Sequence, residues 1–185
     1  MNKIKIGKQW WMAENLKVTR YRNGDAIAGV TGENAWANLS SGAYCSYGND
    51  LTSAGTYGYL YNWFAVTDPR GLAPEGWHIP SNAEWQTLID YLGGDNVASG
   101  KLKETVHWNS PNTGATNESG FSALPGGYRN DNGRFDSIGT NAHFWSSTEY
   151  DRGYAWYHAL GYDTSGARRY DDYKQHGFSV RCVRD

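Results

Sequence analysis

Between Trp156 and Asp163 the chain alternates with a period of two. Trp156, His158, Leu160 and Tyr162 fall on one side, and Tyr157, Ala159, Gly161 and Asp163 on the other. That period belongs to a strand, whose successive side chains point to opposite faces of a sheet. The first set is bulky enough to pack. The second is small or polar apart from one tyrosine, and is expected to meet solvent or a ligand. The segment from Gly177 to Val183 alternates too: Phe178, Val180 and Cys182 would point inward and Ser179 and Arg181 outward, a half-buried strand.

The stretch from Tyr150 to His176 carries six of the chain's fourteen tyrosines and no Val, Ile, Phe or Met. Its charges are balanced: Asp151, Asp163, Asp171 and Asp172 against Arg152, Arg168, Arg169 and Lys174. Tyr, Ser, Gly and Asp beside Arg is the composition of a binding surface, where aromatic area with little rotamer entropy sits between adaptable polar groups. On this reading Tyr150, Tyr154, Tyr157, Tyr170 and Tyr173 supply contact area. Asp151, Asp163, Asp171, Asp172 and Arg168 supply polar selectivity, and Trp156, Leu160 and Tyr162 anchor the strand from beneath. Everything upstream is a scaffold. The competing reading is a plain exposed β-surface with no partner.

A chain of 185 residues is long enough to bury a core and is read as one domain over 1–185. Its 23 glycines, nine tryptophans and fourteen tyrosines point to an aromatic core joined by many turns. That predicts an irregular, loop-rich α+β or β fold rather than a helical bundle. The net charge of −2 with no basic block argues against nucleic acid as a partner. No apolar run approaches the roughly 20 residues that cross a bilayer, so no membrane insertion is expected. The opening MNKIKIGKQWWMAENL lacks an apolar segment after its lysines and does not read as a signal peptide. Cys45 and Cys182 are compatible with a disulfide, two buried thiols, or a metal or redox site.

Residues 3–16 read as a strand, a turn at Gly7, and Trp10, Trp11 and Met12 entering the core. Trp36 and Tyr44 are candidate anchors in an irregular region. YGYLYNWFAV at 57–66 fits a short buried helix, without excluding a strand. Ser81 and Glu84 form a capping-box pattern, and Trp85, Leu88, Ile89 and Leu92 follow on one helical face up to Gly93-Gly94. Glu84 therefore reads as a cap rather than a general base. Residues 101–108 are expected to be extended. Asn130 to Gly133 reads as a hairpin turn between flanking strands, in preference to a calcium loop, because Tyr128 stands where the loop's first acid belongs.

No nucleophile elbow, zincin helix, phosphate loop or zinc-spaced Cys/His cluster occurs. His78, His107, His143, His158 and His176 are scattered beside aromatic or apolar neighbours and read as structural. The aspartates near Arg168 and Arg169 read as salt-bridged surface rather than a carboxylate pair for catalysis or cation binding.

WMAENL, AYCSYGND, YGYLYNW, RGLAPEGWHIPSNAEW, GFSALPGGYR, FWSST and SVRCVRD follow one another in the order of the motifs of the Fibrobacter succinogenes major paralogous domain. From Trp11 to Asp185 the chain resembles that family, which is common in Bacteroidetes surface proteins and lipoproteins. The resemblance implies a C-type lectin-like fold of the formylglycine-generating-enzyme branch. In that fold the GW-x-x-P-x-x-x-EW segment opens a helix and a twisted C-terminal sheet displays the ligand surface. The copper-holding cysteine pair of the enzyme is not matched, since only Cys182 lies in the C-terminal part. Nor is the EPN- or QPD-type loop with a WND strand that binds calcium and sugar. Neither activity carries over, and no catalytic residue, metal or cofactor is expected.

The C-terminal stretch also resembles the variable region of diversity-generating retroelement target proteins. Adenine-directed mutagenesis there rewrites AAC-type codons, which cannot become Lys, Glu, Gln, Trp or Met. Tyr150, Asp151, Gly153, Tyr154, Tyr157, Ala159, Gly161, Asp163, Arg168, Tyr170, Asp171, Asp172, Tyr173 and His176 all lie in the permitted set. Trp156, Leu160, Tyr162, Lys174 and Gly177 would form the fixed frame. The resemblance implies a non-catalytic, receptor- or adhesin-like domain with a variable region over 150–176. It would act at the cell surface, outside the cell or on a phage particle, and bind a protein or glycan of another cell or phage host. A structural surface or pilus-associated module is the alternative, and an oxidase of the formylglycine-generating type a weaker one.

Overall fold

The computed structural model describes residues 2–185. Its strands are β1 (Lys3–Ile6), β2 (Gln9–Met12), β3 (Ala28–Gly29), β4 (Ala43–Cys45), β5 (Leu60–Tyr61), β6 (Trp77–His78), β7 (Gly126–Arg129), β8 (Phe135–Ile138), β9 (Asn141–Glu149), β10 (Tyr154–Gly161), β11 (Ala167–Tyr173) and β12 (Val183–Arg184). The helices are α1 (Glu33–Ala37), α2 (Leu51–Tyr57), α3 (Trp63–Val66), α4 (Asn82–Tyr91) and α5 (Ala98–Leu102). Strand residues outnumber helical ones and the helices are short, so the class is α+β and not a bundle.

The strands make three sheets. The order β1–β2–β12–β6 is antiparallel throughout and joins the two ends of the chain, with Val183 opposite both Trp11 and His78. The order β11–β10–β9–β7–β8 is antiparallel except between β7 and β9. The small sheet β3–β4–β5 completes the set.

Local sequence dictates the two clearest elements. At α4 the Glu84 N–H donates to Ser81 Oγ (3.3 Å) and the Ser81 N–H to the Glu84 carboxylate (2.8 Å), the reciprocal cap expected of this spacing. Trp85, Leu88, Ile89 and Leu92 are all buried, each worth roughly 1.5–3 kcal/mol of transfer free energy. The helix ends where Gly94 N–H donates to Ile89 O at 2.9 Å, with Gly93 in the left-handed region at φ +107°. The β7–β8 hairpin closes through Asn130 N–H to Arg134 O at 2.7 Å. Gly133 there has φ +87°, and a Cβ would lie 2.4 Å from Glu33 O, so no other residue fits.

Three expectations are corrected. Residues 57–66 are not one helix: Gly58 at φ +79° ends α2, β5 follows, and Asn62 caps α3 by accepting from the Ala65 N–H at 3.1 Å. Residues 101–108 are not extended at their start, because Lys101 and Leu102 finish α5. The segment 177–183 is not half-buried. Ser179 and Arg181 are as enclosed as Phe178, Val180 and Cys182, because the segment threads between sheets. Its backbone bonds Tyr61, His143, Leu16 and Met12 in turn.

The core is largely aromatic. Trp11, Trp85, Phe121 and Phe144 form one lattice, with ring centroids 4.9 Å (Trp11–Trp85), 5.6 Å (Trp85–Phe144) and 5.9 Å (Phe121–Phe144) apart. Trp145, Phe178 and Tyr61 belong to a second, in which Trp145 and Phe178 are 4.3 Å apart. Trp36 anchors a third, smaller cluster with Cys45 and Leu60, and Tyr44 packs against the second. Trp11 and Met12 enter the core as expected, while Trp10 stays 36% exposed beneath Lys3 and Lys5.

Candidate ligand-binding surface

The tyrosine-rich stretch builds β10 and β11, and β11 is the free edge of the five-stranded sheet. Opposed residues of an antiparallel pair share a face. Ala155, Tyr157 and Ala159 therefore stand with Asp172, Tyr170 and Arg168, and Tyr154, Trp156, His158 and Leu160 stand with Tyr173, Asp171, Arg169 and Ala167. The second face turns to α4: His158 lies flat on Trp85 at 5.0 Å, and Leu160 and Ala167 are buried. Trp156 is half-buried with the Arg169 guanidinium over its ring at 4.7 Å, and half-buried Tyr162 packs on the same core.

The first face is covered as well, which corrects the expectation for Tyr157. Only 8% of that residue is exposed, and its ring meets Phe178 at 4.6 Å and His143 at 4.9 Å. The threaded 177–183 segment lies over this part of the sheet, so alternation separates two interiors instead of an inside and an outside. His176 is likewise enclosed, 6% exposed, its ring 5.4 Å from Phe178. Its Nδ1 lies 3.2 Å from Asp172 Oδ1, and its Nε2 4.0 Å from Asp131 Oδ1 on the β7–β8 turn.

What opens to solvent is the β11 edge and the two turns. Tyr150, Tyr170 and Tyr173 are 52%, 49% and 43% exposed, and they are three of the four tyrosines among the large exposed apolar side chains. Tyr173 pairs with half-buried Tyr154, ring to ring at 4.5 Å. A hydrogen bond to Tyr173 pushes the Tyr154 phenol up to about 12. Asp163 and Arg168 are exposed, and Asp171, Ala159, Gly153 and Gly161 are half-buried. Two of the acids are engaged locally. Asp151 Oδ1 accepts from Gly153 N–H (2.8 Å) and Tyr154 N–H (3.0 Å), shaping the β9–β10 turn. Asp172 Oδ1 accepts from Tyr173 N–H at 2.9 Å.

Both turns are held by buried lysines. The Lys103 ammonium, fully enclosed, donates to Gly161 O (2.8 Å) and Thr164 O (2.8 Å) of the β10–β11 turn and to Thr113 O (3.0 Å). Burial pushes its pKa down to about 8, opposed by Asp163. Lys174, 6% exposed, donates to Arg152 O (3.0 Å) and to the Glu149 carboxylate, beneath the Trp63 ring. Sequence reading had Lys174 in the frame and missed Lys103. Lys103 lies in a stretch without periodicity, and no pattern announces a lone buried lysine. Tyr128 and Asp131 were missed as neighbours of His176 for a similar reason, since the Arg129–Gly177 bridge that delivers them joins residues far apart in the sequence.

Chemistry elsewhere is sparse. No group of three or more His, Cys, Asp or Glu side chains placed to hold a metal ion occurs among the described residues. Cys45 and Cys182 are free and lie in separate core clusters. Burial pushes both thiols up to about 12, so neither is a thiolate at neutral pH. Burial likewise drives His143 and His158 down to about 3, helped by His176 in the first case and Arg169 in the second. His78 bridges Glu84 (2.6 Å) and Asp185 (2.7 Å), tying the α4 cap to the chain's last residue.

Together these features define an α+β domain with an aromatic-cored frame and one tyrosine-rich free sheet edge. The chain belongs to the family of the Fibrobacter succinogenes major domain (Fib_succ_major), whose model matches residues 4–184. No curated protein and no solved structure matches it.

Proposed function

We propose that the protein is a non-catalytic ligand-binding domain of C-type lectin-like fold whose β10–β11 hairpin and flanking turns carry a diversified surface. Its ligand is a protein or glycan on another cell or phage host, met at the cell surface, outside the cell or on a phage particle. The observation that carries this reading is the exposure of Tyr150, Tyr170 and Tyr173 on turns and an edge strand anchored by other residues. Lys174, which AAC-type codons cannot yield, is the tie of one turn, and Trp156, also outside that set, backs the sheet. Rigid aromatic side chains on a prefixed backbone bind with little ordering cost. Tyr157 and His176, being enclosed, are assigned to the frame, so the contact set is Tyr150, Tyr154, Tyr170 and Tyr173 with Asp163, Asp171 and Arg168.

Sequencing the locus in sibling isolates tests the proposal, together with a search for a reverse transcriptase and a near-identical template repeat beside it. Substitutions clustered at the contact set, with Tyr157, Lys103 and Lys174 unchanged, support a diversified receptor. An invariant tail would leave a structural surface module as the better description.

A further inference from the structure

A second place on the molecule has the character of a binding site, and it lies on the side of β10 that turns to α4. A cavity of about 260 Å³ opens between α4 and the β10–β11 hairpin, lined by Gln86, Ile89, Asp95, His158, Arg168 and Arg169 beside Ala167. His158 is 2% exposed, and neither ring nitrogen has a hydrogen-bond partner. A neutral imidazole carries one N–H donor and one lone-pair acceptor, and leaving both unpaired in an interior is costly enough that native structures rarely do so. Burial, reinforced by Arg169, keeps this ring neutral.

The rim is cationic. Arg169 rests on the Trp156 ring, and Arg168, which starts from the opposite strand face, donates only to Ala167 O (3.1 Å). Neither joins an ion pair among the described residues. Exposed Asp95 is the one carboxylate of the lining. Gln86 has its amide nitrogen held by Asp90 at 2.9 Å, which leaves its carbonyl oxygen free.

The geometry points to a site for a carboxylated monosaccharide, with its acid group on the Arg169 guanidinium, which shares the strand face of His158, its hydroxyls on His158 and Gln86, and its apolar ring face toward Ile89. A guanidinium fork matches a planar carboxylate. Separate ring hydroxyls can accept a hydrogen bond from the His158 N–H and donate one to its lone pair, whereas a bare inorganic anion only accepts. The volume lies just below the usual range of roughly 300–1,000 Å³ for ligand cavities, which suits one ring and not an oligosaccharide. None of the tyrosines of the proposed ligand surface lines this cavity, and the site does not depend on them.

The test is a chemical-shift titration of the whole chain with D-glucuronate, with D-glucose and sodium sulfate run in parallel, following the His158 imidazole and Trp85 indole signals. Glucuronate alone is expected to give saturable shifts. Arg169→Gln and His158→Phe, the second keeping the stack on Trp85, are each expected to weaken binding about tenfold or more. If His158→Phe fails to fold, Arg169→Gln on the exposed rim decides alone. Tyr170→Ala on the opposite face is expected to leave glucuronate binding unchanged, so a failure there bears only on the tyrosine surface. The site is overturned if glucuronate moves neither signal, if glucose or sulfate matches it, or if Arg169→Gln binds as the parent does.

Discussion

Tyr157 and Tyr170 face each other across β10 and β11, ring centroids 5.9 Å apart, yet they belong to different parts of the molecule. Replacing each by alanine separates frame from display. Tyr157 is 8% exposed and fills the space between His143, Trp145 and Phe178. Truncating a large buried aromatic leaves a cavity and costs about 3–5 kcal/mol. For a chain of this length each kcal/mol moves the melting point by about 2–4 °C, so Tyr157→Ala is expected to melt at least ~6 °C lower. Tyr170 is half exposed, and its loss removes one aromatic contact worth about 0.5–1.5 kcal/mol, hence a shift of no more than ~6 °C and typically half that. Scanning fluorimetry and urea melts on the two variants measure the difference directly. Equal destabilisation by the two would refute the division into an enclosed frame and a replaceable edge, and with it the argument for a diversified surface. A partner lost by Tyr170→Ala at unchanged stability would support it.

Two further outcomes follow from the buried ionisable groups. Lys103→Met removes a charged donor from three carbonyls, each such bond being worth about 1.5–3 kcal/mol before the relief of not burying the charge. A net loss near 3 kcal/mol is expected, with faster amide exchange across 161–165; protection like that of the parent would remove Lys103 from its role. Acid is expected to destabilise the fold well above the carboxylate range. The folded-state pKa values of His143 and His158, about 3, lie below the ordinary 6.5. Their contribution is complete above pH 6.5 and is lost as the pH falls toward 3, by about 1.4 kcal/mol per unit for each ring. His78 opposes this in part: burial disfavours its cation, but Glu84 and Asp185 outweigh that and raise its pKa. Urea midpoints at pH 7 and pH 5 measure the slope, and His158→Phe should reduce it by about half; no change between the two pH values would contradict neutral burial.

Features set by a few neighbouring residues were legible in the sequence. Ser81 and Glu84 cap α4, Gly93-Gly94 stops it, and Asn130 to Gly133 turns the β7–β8 hairpin, because each needs only atoms within five residues. The aromatic, glycine-rich composition also pointed to an α+β or β fold, and the period-two alternation of 156–163 marked the strand that runs over Tyr154–Gly161. Illegible was what lies over each face of a strand. Alternation of bulky and small side chains was read as inside and outside, but β10 and the 177–183 segment are covered on both sides, so Tyr157, Ser179 and Arg181 were turned the wrong way. Arg181 is an exception among arginines, which rarely sit fully enclosed. Here Asn15 Oδ1 accepts from it at 2.6 and 3.0 Å, and Phe121 O and Met12 O at 2.6 and 3.2 Å. Those partners lie up to 169 positions away in the chain.

The lysines and arginines in the interior have a consequence for how such a protein can change. Lys103, Arg129 and Arg181 grip main-chain oxygens, at Gly161 and Thr164, at Val30, Thr31 and Gly133, and at Met12 and Phe121. Every amino acid brings the same oxygen to such a position, although Gly133 is fixed by its own close contacts. A loop moored in this way can exchange its side chains over many generations without slipping its anchor, provided the cation itself is spared.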